Sequence, residues 1–75
     1  MDYKQYIERN PEVMMGKPVI KGTRITVELI MRKLAGGYSV DELIEAYPHL
    51  SRPQVLCALE YAADIIANDE AVETV

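Results

Sequence analysis

Residues 39–55 read SVDELIEAYPHLSRPQV, and this stretch decides the fold. Ser39 is followed three positions later by Glu42, which is the spacing of a capping box at the start of a helix. Ser51 and Gln54 repeat that spacing twelve residues further along the chain. Two helices therefore begin close together, and the first of them has room for only about two turns.

A turn separates these two helices. Pro48 keeps the residue before it out of the helical region, so the first helix ends near Ala46. We expect Leu50, the apolar residue of the turn Tyr47–Leu50, to plug the angle between the helices. The second helix has room to run to about Asn68. This order is typical of a helix-turn-helix, whose second helix can enter a DNA major groove. The alternative is a helical pair that only packs.

Apolar residues of the longer helix recur at helical spacing. They predict a buried stripe formed by Val55, Leu59, Ala62 and Ile66 and widened by Leu56 and Ala63. Upstream, Thr26 is placed to cap a further helix, and Gly36–Gly37 is placed to end it. The chain is therefore predicted to be mostly α, with a three-helix core built around the helix-turn-helix.

β-branched residues precede the first of the three helices. Val19–Ile20 and Thr23–Ile25 flank Lys21–Gly22, a pattern that favours a short β-hairpin or a pair of extended segments. A lone hairpin is unstable in water, so this one must pack or pair with a neighbour. Nearer the N-terminus we expect one helical turn from Tyr3, Tyr6 and Ile7.

The composition argues against several classes of protein. Cys57 is the only cysteine and His49 the only histidine of 75 residues, which excludes an internal disulfide and a four-ligand zinc site within the chain. No nucleophile with a neighbouring base, phosphate-binding loop or metal motif is visible, so we expect no enzyme and no cofactor. No apolar run approaches a membrane span, and the N-terminus lacks a signal peptide, so we expect a cytoplasmic protein.

The small size of the core favours self-association. A domain of this length buries only about 60% of its unfolded surface and is marginal alone. Because disulfides and zinc are not available, oligomerisation is the remaining way to stabilise it. We therefore predict a homodimer, with the apolar faces of the first and third helices and the Val19–Ile25 strands as its interface.

The charge is divided between the two halves of the chain. Residues 1–38 carry a net charge of +3 and residues 39–75 a net charge of −7, which favours two different partners. In the first half, Lys21, Arg24 and Arg32 are predicted phosphate contacts. Arg52 and Gln54, at the start of the third helix, are the predicted readers of DNA bases. The alternative is an ordinary solvated surface.

Acidic residues gather towards the C-terminus. Carboxylates at the end of a helix oppose its dipole, so they do not stabilise that helix. An acidic tail after a folded core can bind a basic partner protein and become ordered on contact. The alternative is a tail kept for solubility. The predicted partner-binding residues are Asp64, Asp69, Glu70 and Glu73.

Several of these motifs together resemble domain-of-unknown-function family 433. The resemblance covers residues 10–63 and rests on Asn10–Pro11, Gly16–Ile25, Ala35–Ser39, Tyr47–Leu50 and Ala58–Ala62. Two positions depart from the family pattern: Met15 stands where a glycine is common, and Thr26 where a proline is common. Thr26 still supplies a cap for the helix that a proline would have started.

The resemblance implies a winged or extended helix-turn-helix fold. Members are described as antitoxin-like, similar to the VapB type, and are often encoded beside a PIN-like nuclease domain. It therefore implies an antitoxin that binds a PIN-like toxin and binds operator DNA. The alternative is a protein-interaction module with no DNA role. We expect a single domain over residues 1–75, with a family core at 10–67, an N-terminal extension at 1–9 and an acidic tail at 68–75.

Overall fold

The computed structural model describes the backbone of residues 2–70 and the side chains of residues 2–68. Three helices follow a short sheet: α1 spans Val27–Ala35, α2 spans Val40–Ala46 and α3 spans Arg52–Glu70. The sheet pairs β1 (Ile7–Glu8) with β2 (Val19–Ile20). The predicted fold class, a mostly helical core with a short N-terminal β-element, is confirmed.

The helices begin where their capping residues predict. The Thr26 hydroxyl accepts the backbone N–H of Leu29 at 2.9 Å. Ser39 and Glu42 form both hydrogen bonds of a capping box at the start of α2. At the start of α3, the Gln54 side-chain oxygen accepts the Ser51 N–H at 2.8 Å. These capping hydrogen bonds satisfy backbone N–H groups at the helix starts, which have no partner within the helix.

The sheet differs from the predicted hairpin. β2 pairs antiparallel with β1, with Ile20 opposite Ile7, whereas Thr23–Ile25 forms no strand. Ile20 still donates its backbone N–H to the carbonyl of Ile25 at 2.8 Å, so both sides of β2 are occupied. The expected helical turn at Tyr3, Tyr6 and Ile7 shrinks to a 3-10 turn at Tyr3–Gln5. Ile7 leaves it because pairing with β2 buries its side chain.

The core lies where α1, α2, the first half of α3 and the sheet meet. Its fully buried side chains include Ile20, Ile30, Leu43, Val55 and Cys57. Leu50, in the turn between α2 and α3, is 3% exposed and plugs the angle as predicted. Within the described residues, no helix has both the length and the apolar character that crossing a membrane requires.

The buried face of α3 differs from the predicted stripe. Val55 and Ala58 are fully buried, whereas Leu59 is half-buried and Ile66 is half exposed. The apolar residues of α3 cover more than one face, and the face that is covered is the one against which α1 and α2 pack. The predicted stripe was therefore wrong at Leu59, which is only partly buried, and at Leu56, Ala63 and Ile66, which are exposed.

A left-handed backbone explains one departure from the family pattern. Met15 has a φ of 59° and a ψ of 33°, and its side chain is 90% exposed. A residue with a Cβ atom costs about 1–2 kcal/mol in that conformation, whereas glycine adopts it freely. The glycine that is common in the family at this position is thus the residue that the backbone favours.

Candidate interaction surfaces

The two predicted base readers are both engaged in local contacts. Arg52 forms an ion pair with Asp41 of α2, and about half of the Arg52 side chain stays exposed. The side-chain oxygen of Gln54 is occupied by the capping hydrogen bond with Ser51. Glu60 follows on the exposed surface of α3. The start of α3 therefore presents a neutralised arginine and a capping glutamine, followed by an acidic residue.

Arg32 is likewise paired. Its Nε donates to Glu28 at 3.1 Å, and Lys17 donates to the other oxygen of the same carboxylate at 3.0 Å. Hydrogen bonds from Lys17 and Arg32 lower the pKa of the Glu28 carboxyl. All three side chains are exposed, so this network is a surface feature that holds the start of α1 against the preceding loop.

Lys21 and Arg24 lie on the turn that links β2 to α1. The Lys21 ammonium is 3.5 Å from the carbonyl of Lys4, and the exposed Arg24 side chain has no hydrogen-bond or ion-pair partner among the described side chains of residues 2–68. The five predicted DNA contacts thus divide among the turn, α1 and the start of α3.

An open cleft of about 710 Å³ lies beside this turn. Arg24 and His49 line it together, although they are distant in sequence and His49 belongs to the turn between α2 and α3. Glu8 also lines the cleft, and its carboxylate accepts the backbone N–H of Gly22 at 3.2 Å. Val13 and Ile25 supply apolar wall. The sequence offered no reason to pair His49 with Arg24, since only the fold brings the two turns together.

An apolar groove of about 350 Å³ lies between α1 and α3. Its apolar lining comes from Pro18, Val27, Met31, Tyr61, Ala62, Ile65 and Ile66, with Glu28 and Arg32 at its edge. Ile65 is 37% and Ile66 50% exposed. Residues 63–68 of α3 are all exposed, and of these Ile65 and Ile66 line the groove. We call residues 63–68 the outer half of α3, and residues 52–62 its inner half.

Asp64 is tied to the N-terminus of the chain. Its carboxylate accepts a hydrogen bond from the Tyr3 hydroxyl, which also lies 3.3 Å from the carbonyl of Glu60. The Tyr3 and Tyr61 rings meet edge to face at 5.3 Å, and Arg9 donates to the Tyr61 hydroxyl at 3.1 Å. Nothing in the sequence indicated this cluster, because it joins residues 3–9 to residues 60–64, which lie more than fifty positions further along the chain.

The remaining predicted partner-binding residues lie at or beyond the end of the part of the chain that the structure describes. Asp69 and Glu70 belong to α3 by their backbone, but their side chains are outside the described residues. Glu73, with the rest of the predicted tail after residue 70, is outside them too. Their role stays a prediction.

Cys57 is the one thiol of the chain, and it lies in the core. Its side chain is fully buried, and burial raises the pKa of the thiol. A thiol with a raised pKa is a poor nucleophile at neutral pH. Cys57 therefore acts as a small apolar core residue.

Taken together, these features define a small three-helix domain with a two-stranded sheet, whose concave surfaces include the cleft beside β2 and the groove between α1 and α3. Residues 7–62 match the family described as "Protein of unknown function (DUF433)", and the chain belongs to that family. The match begins at β1, slightly before the predicted start of the family core at residue 10.

Two relatives place the chain among known proteins. The uncharacterized protein y4eO of Sinorhizobium fredii is 32% identical over 59 residues, which cover 79% of this chain and 27% of that protein. The chain thus spans about a quarter of that relative's length. The crystal structure of a DUF433 member from Anabaena variabilis has a TM-score of 0.79 at 26% identity, and the likeness covers 97% of this chain and 77% of that chain.

Proposed function

We propose that this chain is an antitoxin-type module that binds a basic partner protein through the outer half of α3 and the adjoining groove. One observation carries the proposal: Ile65 and Ile66 are exposed on a helix that continues past the core. Exposed apolar side chains that continue into an apolar groove are typical of protein-binding surfaces.

Charge favours a basic partner. Residues 39–75 carry a net charge of −7, and their only basic side chain, Arg52, is paired with Asp41. A nuclease needs a positive surface to hold nucleic acid, so an acidic helix can cover that surface. The family resemblance implies such a partner, a PIN-like nuclease encoded beside this chain.

DNA binding is the second candidate, and the exposed Arg24 favours it. Lys21 and Arg24 on their exposed turn are suited to contact phosphates, which position a duplex without reading its sequence. The contacts of Arg52 and Gln54, with Glu60 behind them, argue against α3 as a helix that reads bases. DNA binding by this route would be weak, sequence-independent and sensitive to salt.

A second copy of the chain is the alternative occupant of the groove. The sequence predicted that the Val19–Ile25 strands form part of a homodimer interface. Both edges of β2 are hydrogen-bonded within one chain, which argues against strand pairing between two copies. The apolar faces of α1 and α3 remain available for a homodimer. Light scattering over a hundredfold concentration range distinguishes a homodimer from a monomer that binds a different protein.

The test compares two exposed apolar residues of α3. Ile66 lines the groove and Leu56, 44% exposed, does not. We expect Ile66→Ala to weaken binding to the purified neighbouring gene product about tenfold or more, as truncation of a central interface residue does. Leu56→Ala should bind as the wild type. Equal affinities of the two variants, measured by calorimetry, would contradict the proposed surface.

A further inference from the structure

Two turns that are distant in sequence meet at the cleft beside β2. One is the turn of residues 21–24, which carries Arg24, and the other is the turn between α2 and α3, which carries His49. Both side chains are exposed, and neither has a hydrogen-bond partner among residues 2–68, whose side chains the structure describes. The contacts that hold the fold together leave these two groups free to bind.

The turn that carries Arg24 is held in place from both ends. The Thr23 hydroxyl donates to the carbonyl of Ile20 at 2.8 Å and accepts the backbone N–H of Ile25 at 3.0 Å. Glu8 accepts the backbone N–H of Gly22. A cleft with a preformed wall binds its ligand without the cost of ordering a loop.

The chemistry of the cleft is mixed. Arg24 offers a planar set of donors that matches a phosphate, and His49 offers a further N–H. Glu8 carries a second carboxylate oxygen beyond the one that bonds to Gly22, and this oxygen can accept from an amino group. Val13 and Ile25 offer apolar surface on which a flat ring can lie.

We propose that this cleft binds a nucleotide, with the phosphate on Arg24 and His49, the base against the apolar wall, and an amino group of the base donating to Glu8. The volume of about 710 Å³ lies within the range of small-molecule sites, about 300–1,000 Å³. An inorganic anion alone would leave the apolar wall unused and would meet the carboxylate of Glu8. This proposal stands independently of the partner protein proposed above.

The sole histidine gives the experiment a direct reporter. We would follow the imidazole proton signals of His49 by NMR at fixed pH and ionic strength while adding adenosine 5′-monophosphate. The signals should shift and saturate, and ribose 5-phosphate should bind at least about threefold more weakly, because it leaves the base contacts unmade.

Matched variants test the phosphate contact. Arg24→Gln should weaken the binding of adenosine 5′-monophosphate about tenfold or more, as loss of a charged hydrogen bond does. Lys33→Gln makes the same charge change on α1, outside the cleft, and should leave binding unchanged. Because Arg24 is exposed, we expect Arg24→Gln to have the same melting temperature as the wild type. A loss of affinity then reports on binding and not on stability.

Three results would overturn the proposal. The first is an absence of any saturable shift with the mononucleotide. The second is equal binding of ribose 5-phosphate, which would leave a phosphate site without recognition of a base. The third is binding of a short DNA duplex with no response to the mononucleotide, which would assign Arg24 to backbone contacts instead.

Discussion

The two halves of α3 belong to one continuous helix and have opposite surroundings. In the inner half, Val55, Cys57 and Ala58 are fully buried against α1, α2 and the sheet. In the outer half, every residue from 63 to 68 is exposed. The inner half carries the core, and the outer half extends beyond it with exposed side chains, of which Asp64 is bonded to Tyr3. The helix is therefore longer than burial of the core requires.

The largest expected effect separates core from surface. Leu50→Ala should lower the free energy of unfolding by about 2–5 kcal/mol, because Leu50 fills the angle at the start of the inner half. Ile66→Ala should change it by less than about 0.5 kcal/mol, since it removes an exposed side chain. Leu59→Ala should fall between them because Leu59 is half-buried.

Urea denaturation measures all three variants. Equal losses of unfolding free energy for Leu50→Ala and Ile66→Ala would contradict the division of α3 into a structural half and a binding half. A loss for Leu59→Ala as large as that for Leu50→Ala would restore the stripe predicted from the sequence.

The next effect concerns the hydrogen bond between Tyr3 and Asp64, which ties the outer half to the N-terminal segment. Tyr3→Phe removes the hydroxyl that donates to Asp64, and we expect a loss of up to about 1 kcal/mol. Tyr38→Phe is the matched control, because the Tyr38 hydroxyl has no hydrogen-bond partner in residues 2–68, the part of the chain with described side chains. Thermal melts that show the same change for both variants would mean that Tyr3 does not anchor α3.

The smallest effect is a pH dependence at the helices that pack on the inner half. The backbone N–H and hydroxyl of Ser39 lower the pKa of the Glu42 carboxyl, and Lys17 and Arg32 lower that of Glu28. A carboxyl whose pKa is lowered by folding stabilises the protein above its unfolded pKa, and that stabilisation is lost as the pH falls through the lower folded pKa. Stability should therefore fall slightly below pH 4.5, the ordinary value of the group.

Denaturation at a series of acid pH values tests this dependence. Glu42→Gln and Glu28→Gln should each flatten the fall in stability, because each removes a titrating carboxylate. If the stability of both variants falls with decreasing pH as steeply as that of the wild type, neither carboxylate contributes to the acid sensitivity of the fold.

Helix starts could be predicted from the sequence because capping is local. Thr26, Ser39 and Ser51 each bond to a backbone group three residues away, so their spacing is visible in the chain itself. The inward face of α3 could not be predicted with the same success. Its apolar residues surround more than one face, and the neighbouring helices decide which of them is covered.

The sheet and the candidate sites depend on contacts between distant residues. β1 pairs with β2 across the loop of residues 9–18, and two residues per strand are too few to show an alternating pattern. The approach of Arg24 to His49 is likewise a product of the fold. The sequence predicted Arg24 as a phosphate contact, but it offered no sign of the cleft beside it.

Hydrogen exchange along α3, measured on the chain alone and with the purified product of the neighbouring gene, compares the two halves of the helix. We expect slow exchange of the backbone amides of residues 55–61 in both samples. The amides of residues 63–68 should exchange fast in the free chain and become protected by the partner. Uniform slow exchange along the free helix, or protection by the partner at residues 47–54 alone, would contradict the proposal that the outer half of α3 is the binding surface.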